Sequence, residues 1–168
     1  MKTARTTMKN VLKYPIFLFF IKIFKILGYL YLKNSKRLEA VEFYQKSLKF
    51  DPNDFETWIE YASLQEHYDI KISLEAYEKA LEVINQRRND KNEQILNKME
   101  EIKPELLNNI GVLKMKMEKF EESQTSLQKA LEICTKSEEP RIENGFCKVN
   151  NYYYYFFFFF FFFYLEIL

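Results

Sequence analysis

The sequence predicts an all-α protein in which about three antiparallel pairs of short helices stack as a helical solenoid. Apolar residues recur at spacings of three and four in several segments, as they do along one face of an α-helix. The 168 residues include only 3 glycines and 4 prolines, too few for the turns of an all-β fold. A pattern of small and large residues also returns after 34 residues and again after 49, which indicates an internal repeat.

The first predicted helix pair covers residues 21–54 and follows residues 1–15, which we expect to be disordered or irregular. Small side chains let two helices approach closely, and large ones fill the space beside them. The expected packing residues of this pair are Phe24, Leu27, Gly28, Tyr31, Ala40 and Tyr44. Pro52 ends the second helix because proline cannot continue it, and Asn53 or Asp54 is placed to cap the next helix.

The middle unit covers residues 55–103 and has Trp58, Ala62, Tyr77 and Ala80 at its packing positions. Its turn is one residue shorter than those of the other two units. After Asn85 the repeat register slips by 15 residues, through a charged segment with apolar residues at helical spacing. This segment predicts an extended or extra helix.

The third unit covers residues 104–135, with Leu107, Gly111, Leu127 and Ala130 at its packing positions. We expect Pro104 to open its first helix, because the missing N–H of proline costs least at the first helical position. Residues 136–148 are polar and read as a connector into a truncated further unit. The whole array is therefore predicted over residues 16–135.

Residues 149–168 form a low-complexity tail with eight consecutive phenylalanines, which no packed soluble domain requires. Its apolar run, from Tyr152 to Leu165, is 14 residues long and short for a membrane span. Runs of Tyr and Phe are also what T-rich, A/T-biased DNA encodes. Our hypothesis is that this tail is intron sequence read as protein, and that the true chain continues beyond Lys148.

The apolar run between Tyr14 and Leu32 has three alternative interpretations: a membrane span, an export signal or a repeat helix. Lys22 and Lys25 interrupt it, and its longest uncharged piece has only eight residues, from Tyr14 to Ile21. A signal peptide accepts so short a core, but no small-x-small cleavage site follows. We therefore favour a helix of the first unit.

Composition argues against catalysis, cofactor binding and metal binding. The 25 basic and 24 acidic residues nearly cancel, so no strong attraction to nucleic acid or to anionic membranes is implied. His67 is the only histidine, which leaves histidine-based metal clusters and triads without their parts. Cys134 falls on the packing face of a predicted helix, where a buried, inert thiol is expected. We expect no enzyme, cofactor or metal ion.

The 34-residue register resembles the tetratricopeptide repeat (TPR), with Gly28, Ala62 and Gly111 at its small first-helix position. The resemblance implies a concave face, lined by the first helices, that binds a peptide or a partner helix. The candidate positions on that face are Lys25, Tyr29, Glu56, Ile59, Ser63, Glu66, Glu105, Asn108 and Val112. Some TPR domains hold a peptide carboxylate there with five residues, which are Lys and Asn, then Asn, then Lys and Arg. Lys25 fits the first of these positions, but the other four are occupied by Tyr29, Glu60, Glu105 and Asn109, which argues against such a clamp.

Two segments resemble one TPR family more specifically. Residues 53–84, with Trp-Ile-Glu-Tyr-Ala at 58–62 and Tyr-Asp-Ile at 68–70, are similar to the large TPR subunit of the RNA polymerase II-associated factor (PAF) elongation complex. Residues 102–123, with Pro-Glu-Leu-Leu-Asn-Asn at 104–109, resemble another part of that subunit. The resemblance implies a nuclear scaffold that holds other PAF subunits, and RNA polymerase II indirectly, during elongation and histone modification. A generic cytosolic TPR adaptor and a membrane-tethered TPR protein are the alternatives.

Overall fold

Six helices make up the part of the chain that the structure describes. The computed structural model describes residues 15–87 and 91–136, and the expectations for residues 1–14 and 137–168 lie outside that range. The helices are α1 (Pro15–Lys33), α2 (Arg37–Phe50), α3 (Phe55–Gln65), α4 (Ile70–Gln86), α5 (Glu93–Lys116) and α6 (Phe120–Lys136). No strand occurs in these residues, which form the helix pairs α1–α2, α3–α4 and α5–α6, so the predicted all-α fold is confirmed. The described residues form two compact units that divide between Asn85 and Gln86, at the end of α4: the first unit holds α1–α4 and the second holds α5 and α6.

Aromatic rings hold α1 against α2 in the first helix pair. The ring of Phe24 lies 6.3 Å from that of Phe43 and 5.7 Å from that of Phe50, and the Tyr31 ring lies 5.0 Å from the Phe43 ring. Gly28 makes the close approach possible, because a Cβ atom there would lie 2.8 Å from the buried ring of Tyr44. The small and large positions of the repeat therefore meet across this pair.

The pair α5 and α6, which forms the second compact unit, repeats the arrangement of α1 and α2. A Cβ atom on Gly111 would lie 2.7 Å from Leu127, so glycine again permits a close approach. Beside it the buried hydroxyl of Ser123 donates a hydrogen bond of 2.8 Å to the carbonyl oxygen of Gly111. In α3 and α4 the hydroxyl of Ser73 makes the equivalent bond of 2.9 Å to the carbonyl oxygen of Ala62.

The turn between α3 and α4 is one residue shorter than the turn between α5 and α6, as the sequence predicts. The two hydrogen-bonded residues are 11 positions apart there, Ala62 to Ser73, but 12 apart between Gly111 and Ser123. The longer turns each place a residue in the left-handed region, Ser35 at φ 60° and Glu118 at φ 61°. Among the described residues no other non-glycine residue has a positive φ, so the short turn closes without one.

Pro104 does not open a helix, and the prediction that it does is wrong. It lies inside α5, which begins at Glu93 and has 24 residues. Asn92 caps this helix through its side-chain oxygen, which accepts from the backbone N–H groups of Gln94 and Ile95. The cap and the burial of Met99, which is 1% exposed, favour an early start strongly enough to outweigh the backbone hydrogen bond that proline cannot donate. The predicted extra helix is thus the N-terminal part of α5.

Most of the predicted packing residues are buried. The buried ones are Gly28, Ala40, Tyr44, Ala62, Tyr77, Ala80, Leu107, Gly111, Leu127 and Ala130. Phe24, Leu27 and Tyr31 are half-buried. Trp58, predicted at a packing position, is also only half-buried, and its indole N–H donates a 2.9 Å hydrogen bond to the carbonyl oxygen of Pro52. That polar group draws the ring toward the surface turn before α3. Within the described residues no helix is long and apolar enough to cross a membrane.

Candidate protein-interaction surface

Helix α3 presents one accessible face in the first unit. Glu56, Ile59, Ser63 and Glu66 follow one another at intervals of three and four residues, so they share a side of the helix. None of them is buried, whereas Thr57, Tyr61 and Gln65 on the opposite side are. These four predicted residues therefore form a continuous mixed surface, with a partly exposed isoleucine and a serine between two carboxylates.

Lys25 of α1 is joined to the beginning of α3 by two ion pairs. Its Nζ atom lies 2.8 Å from a carboxylate oxygen of Glu56 and 3.0 Å from one of Asp54. Burial disfavours the charge of Lys25, but the hydrogen bonds to Glu56 and Asp54 outweigh it and raise the pKa of the Lys25 amine above its usual value. The structure thus brings the predicted residues Lys25 and Glu56 together, and the two carboxylates balance the positive charge of the lysine.

Two further candidate residues of the first unit have polar partners. Tyr29 on α1 is exposed, and the Nζ atom of Lys33 lies 5.4 Å from the centre of its ring. Glu66, at the end of α3, accepts a hydrogen bond of 2.7 Å from the hydroxyl group of Tyr77. Tyr29 is therefore available to a partner, while the carboxylate of Glu66 also fixes α4 against α3.

The second unit supplies Glu105, Asn108 and Val112 from α5. Glu105 and Val112 are half-buried, and burial raises the pKa of the Glu105 carboxyl above its usual value. Asn108 is only 7% exposed, so the expectation that it lies on an accessible surface needs correction. It is buried because Leu106, Leu107 and Asn108 all face the interior, and its amide donates to the side-chain oxygen of Asn109 at 3.4 Å.

Asp54 has two roles, of which the sequence predicts only the first. It was expected as a cap of α3, and its side chain does accept from the backbone N–H of Thr57 at 3.2 Å. Its ion pair with Lys25 was not expected, because the two residues are 29 positions apart. The helical repeat itself was the available signal, since first helices of successive repeats lie side by side.

Within residues 15–87 and 91–136, no three His, Cys, Asp or Glu side chains are grouped to hold a metal ion. His67 is exposed on the turn after α3, and the thiol-bearing Cys134 is half-buried on α6. The α3 face mixes polar and apolar groups, and the half-buried Lys25 beside it on α1 is already engaged by Asp54 and Glu56.

Comparisons with known proteins agree with this geometry. The family model described as "Tetratricopeptide repeat" matches residues 26–54 and 104–136. Over 87 residues, or 52% of this chain, the sequence is 33% identical to the RNA polymerase-associated protein CTR9 of Caenorhabditis elegans. The chain spans only 7% of the length of that relative.

Solved structures similar to this chain have low sequence identity to it, and they therefore support the fold alone. The N-terminal domain of stress-induced protein-1 (STI-1) from C. elegans is 17% identical with a TM-score of 0.57, covering 76% of this chain and 92% of that one. The first TPR of Spaghetti (RPAP3), bound to the HSP90 peptide SRMEEVD, is 17% identical with a TM-score of 0.53, covering 78% and 90%. The Arabidopsis OM64 TPR domain is 16% identical with a TM-score of 0.55, covering 80% and 93%. Two segments of the chain thus match the tetratricopeptide repeat, and its helical fold is similar to that of TPR domains.

Proposed function

We propose that this chain is a protein-binding segment of the TPR subunit of the PAF complex and acts as a nuclear scaffold during transcription elongation. The similarity to CTR9 over 87 residues is the observation that carries the proposal. The short turn before α4 and the Pro-Glu-Leu-Leu-Asn-Asn segment in α5 support it, because both resemble that subunit. In this role the chain holds other PAF subunits, reaches RNA polymerase II through them, and serves co-transcriptional histone modification without catalysis.

The α3 face and its neighbours on α1 are the binding surface that we propose for the first unit. Glu56, Ile59 and Ser63 lie side by side, and Tyr29 is exposed on the adjacent helix of the array. An apolar centre between polar groups is the usual make-up of a protein interface, in which water-excluded apolar contacts supply most of the affinity. The partner is therefore expected to place an apolar side chain against Ile59.

The second candidate function is a cytosolic adaptor that binds a short peptide. The structural similarity to a TPR domain bound to the HSP90 peptide SRMEEVD brings this candidate forward. Lys25 occupies the position at which such a peptide carboxylate would need a free ammonium group, but Asp54 and Glu56 already contact it. A peptide with an acidic end would meet these carboxylates, so we expect this chain not to bind SRMEEVD in a fluorescence polarisation titration.

Affinity purification tests the proposal directly. The tagged full-length chain is expressed in cells, recovered from nuclear and cytosolic extracts, and its co-purifying proteins are identified by mass spectrometry. We expect PAF subunits in the nuclear fraction. Recovery of chaperones alone from the cytosol would support the adaptor instead, and retention in membranes after alkaline extraction would support a tethered protein.

A further inference from the structure

The side of α1 that faces away from α2 is apolar and exposed. Phe19, Ile26 and Leu30 are separated by seven and four residues, so their side chains share one stripe of the helix. They are 61%, 57% and 47% exposed. The opposite side of α1 contacts α2 through Phe24 and Gly28. We call the residues Phe19, Ile26 and Leu30 the outer stripe.

Positive charge accompanies the outer stripe, and no negative charge does. Helix α1 contains Lys22, Lys25 and Lys33 and no Asp or Glu. Lys25 is engaged by Asp54 and Glu56 on another side of the helix. By helical periodicity Lys22 and Lys33 lie along one edge of the outer stripe. Lys22 is exposed and forms no ion pair with any carboxylate among the described residues.

The exposed side chains of the outer stripe follow one another along the helix. Contiguous exposed apolar groups mark surfaces that another molecule covers. Anchors at i, i+7 and i+11 match the spacing at which one helix docks along another.

We propose that the outer stripe of α1 docks an amphipathic helix of a partner protein, one with apolar anchors and an acidic edge that pairs with Lys22 and Lys33. The acidic edge follows from charge complementarity, since α1 offers ammonium groups and no carboxylate. A second copy of α1 fits less well, because it would bring the same lysines and no acid. The inference rests on the scaffold role of the chain but not on its assignment to the PAF complex.

Two designed helical peptides serve as probes for the full-length chain. Both carry the same leucine stripe, one flanked by glutamates and the other by lysines, and binding is followed by fluorescence anisotropy. We expect the glutamate peptide to bind and the lysine peptide to bind at least 10-fold more weakly. Raising the salt concentration should weaken the binding of the glutamate peptide, because salt screens the attraction between exposed charges.

Three variants locate the site. Ile26→Glu should lower the affinity for the glutamate peptide at least 10-fold. Lys22→Glu should make the chain bind the lysine peptide more tightly than the glutamate peptide. Leu38→Glu is the matched control: Leu38 is 63% exposed but lies on α2, so its change should alter binding less than 2-fold. Circular dichroism of each variant confirms that the fold is retained, which we expect since all three side chains are exposed.

Several results would overturn the proposal. Equal binding of the two peptides, or binding that is insensitive to Ile26→Glu, excludes an acidic helix on this stripe. Ile26-dependent binding to phosphatidylserine vesicles, without peptide binding, would instead identify a membrane surface as the occupant. An Ile26-dependent dimer in light scattering would identify a second copy. A failure to recover PAF subunits from cells would leave the peptide results unaffected, so the two proposals fail separately.

Discussion

The ammonium group of Lys25 on α1 lies 3.0 Å from the carboxylate of Asp54, the residue that caps α3. The same carboxylate accepts from the backbone N–H of Thr57 at 3.2 Å and from its hydroxyl group at 2.6 Å. The side chain of Asp54 therefore caps the N-terminus of α3 and also joins α3 to α1, the first helices of two successive helix pairs. Its loss is expected to affect both contacts.

Replacing Asp54 by alanine should cost more than losing a cap alone. Asp69 is the matched control, because it accepts from the N–H groups of Lys71 and Ile72 at the start of α4 and is exposed. We expect Asp69→Ala to lower the unfolding free energy by about 1 kcal/mol and Asp54→Ala by about 1 to 2 kcal/mol. Urea denaturation measures both. Equal losses would show that the Lys25 ion pair contributes nothing.

Adding a methyl group at either repeat glycine should destabilise the chain. The new Cβ atom would lie 2.8 Å from the Tyr44 ring in Gly28→Ala, and 2.7 Å from Leu127 in Gly111→Ala. We expect a loss of about 1 to 3 kcal/mol, although alanine is the better helix former. Gln124→Ala, at an exposed position of α6, should change stability by less than about 0.5 kcal/mol. A stabilising effect at both glycines would contradict the close approach of the helices.

Glycine should be favoured at the two left-handed turn residues. Ser35 and Glu118 have φ values of 60° and 61°, a conformation that costs a side-chain-bearing residue about 1 kcal/mol. Ser35→Gly and Glu118→Gly are expected to raise the unfolding free energy by up to about 1 kcal/mol each. The control Ser63→Gly lies within α3, where glycine should lower it by about 0.5 kcal/mol. Thermal melting distinguishes the opposite signs.

The half-buried carboxyl of Glu105 should make stability depend on pH. Burial raises its folded-state pKa above the unfolded value, so its favourable contribution is complete below the unfolded pKa and is lost as the pH rises through the folded pKa. Glu105→Gln should therefore stabilise the chain at pH 7 and have little effect near pH 4. Glu100→Gln, at an exposed position of the same helix, should show no such difference. Unfolding by urea at the two pH values tests this, and an effect equal at both would exclude the titration of Glu105.

The repeat positions were predictable because spacing and side-chain size determine them. Gly28 with Tyr44, and Gly111 with Leu127, are small and large residues 16 positions apart, and they meet in the structure. The short turn was equally visible, since the Ser73 hydroxyl reaches the Ala62 carbonyl over 11 residues instead of 12. Local pattern is enough where contacts recur at fixed intervals.

Features that depend on competing interactions were harder to predict. The cap at Asn92 and the burial of Met99 carry α5 through Pro104, whereas proline alone suggests a helix start. Applying the same repeat pattern to the first helix of every pair also placed Asn108 on the accessible face, but Asn108 is buried in the structure. The exposure of Phe19 and Ile26 was equally unforeseen, because an apolar run gives no sign of which side remains uncovered.

Binding of the purified chain to the remaining purified PAF subunits tests the central claim most directly. The measurement is a titration by biolayer interferometry, with the double variant Ile59→Arg/Ser63→Arg as the surface change and Leu38→Glu as the control. The account predicts saturable binding by the unmodified chain and the control, and a loss of at least 10-fold for the double variant with its helical content unchanged. Absence of binding by the unmodified chain, or equal binding by the double variant, would contradict it.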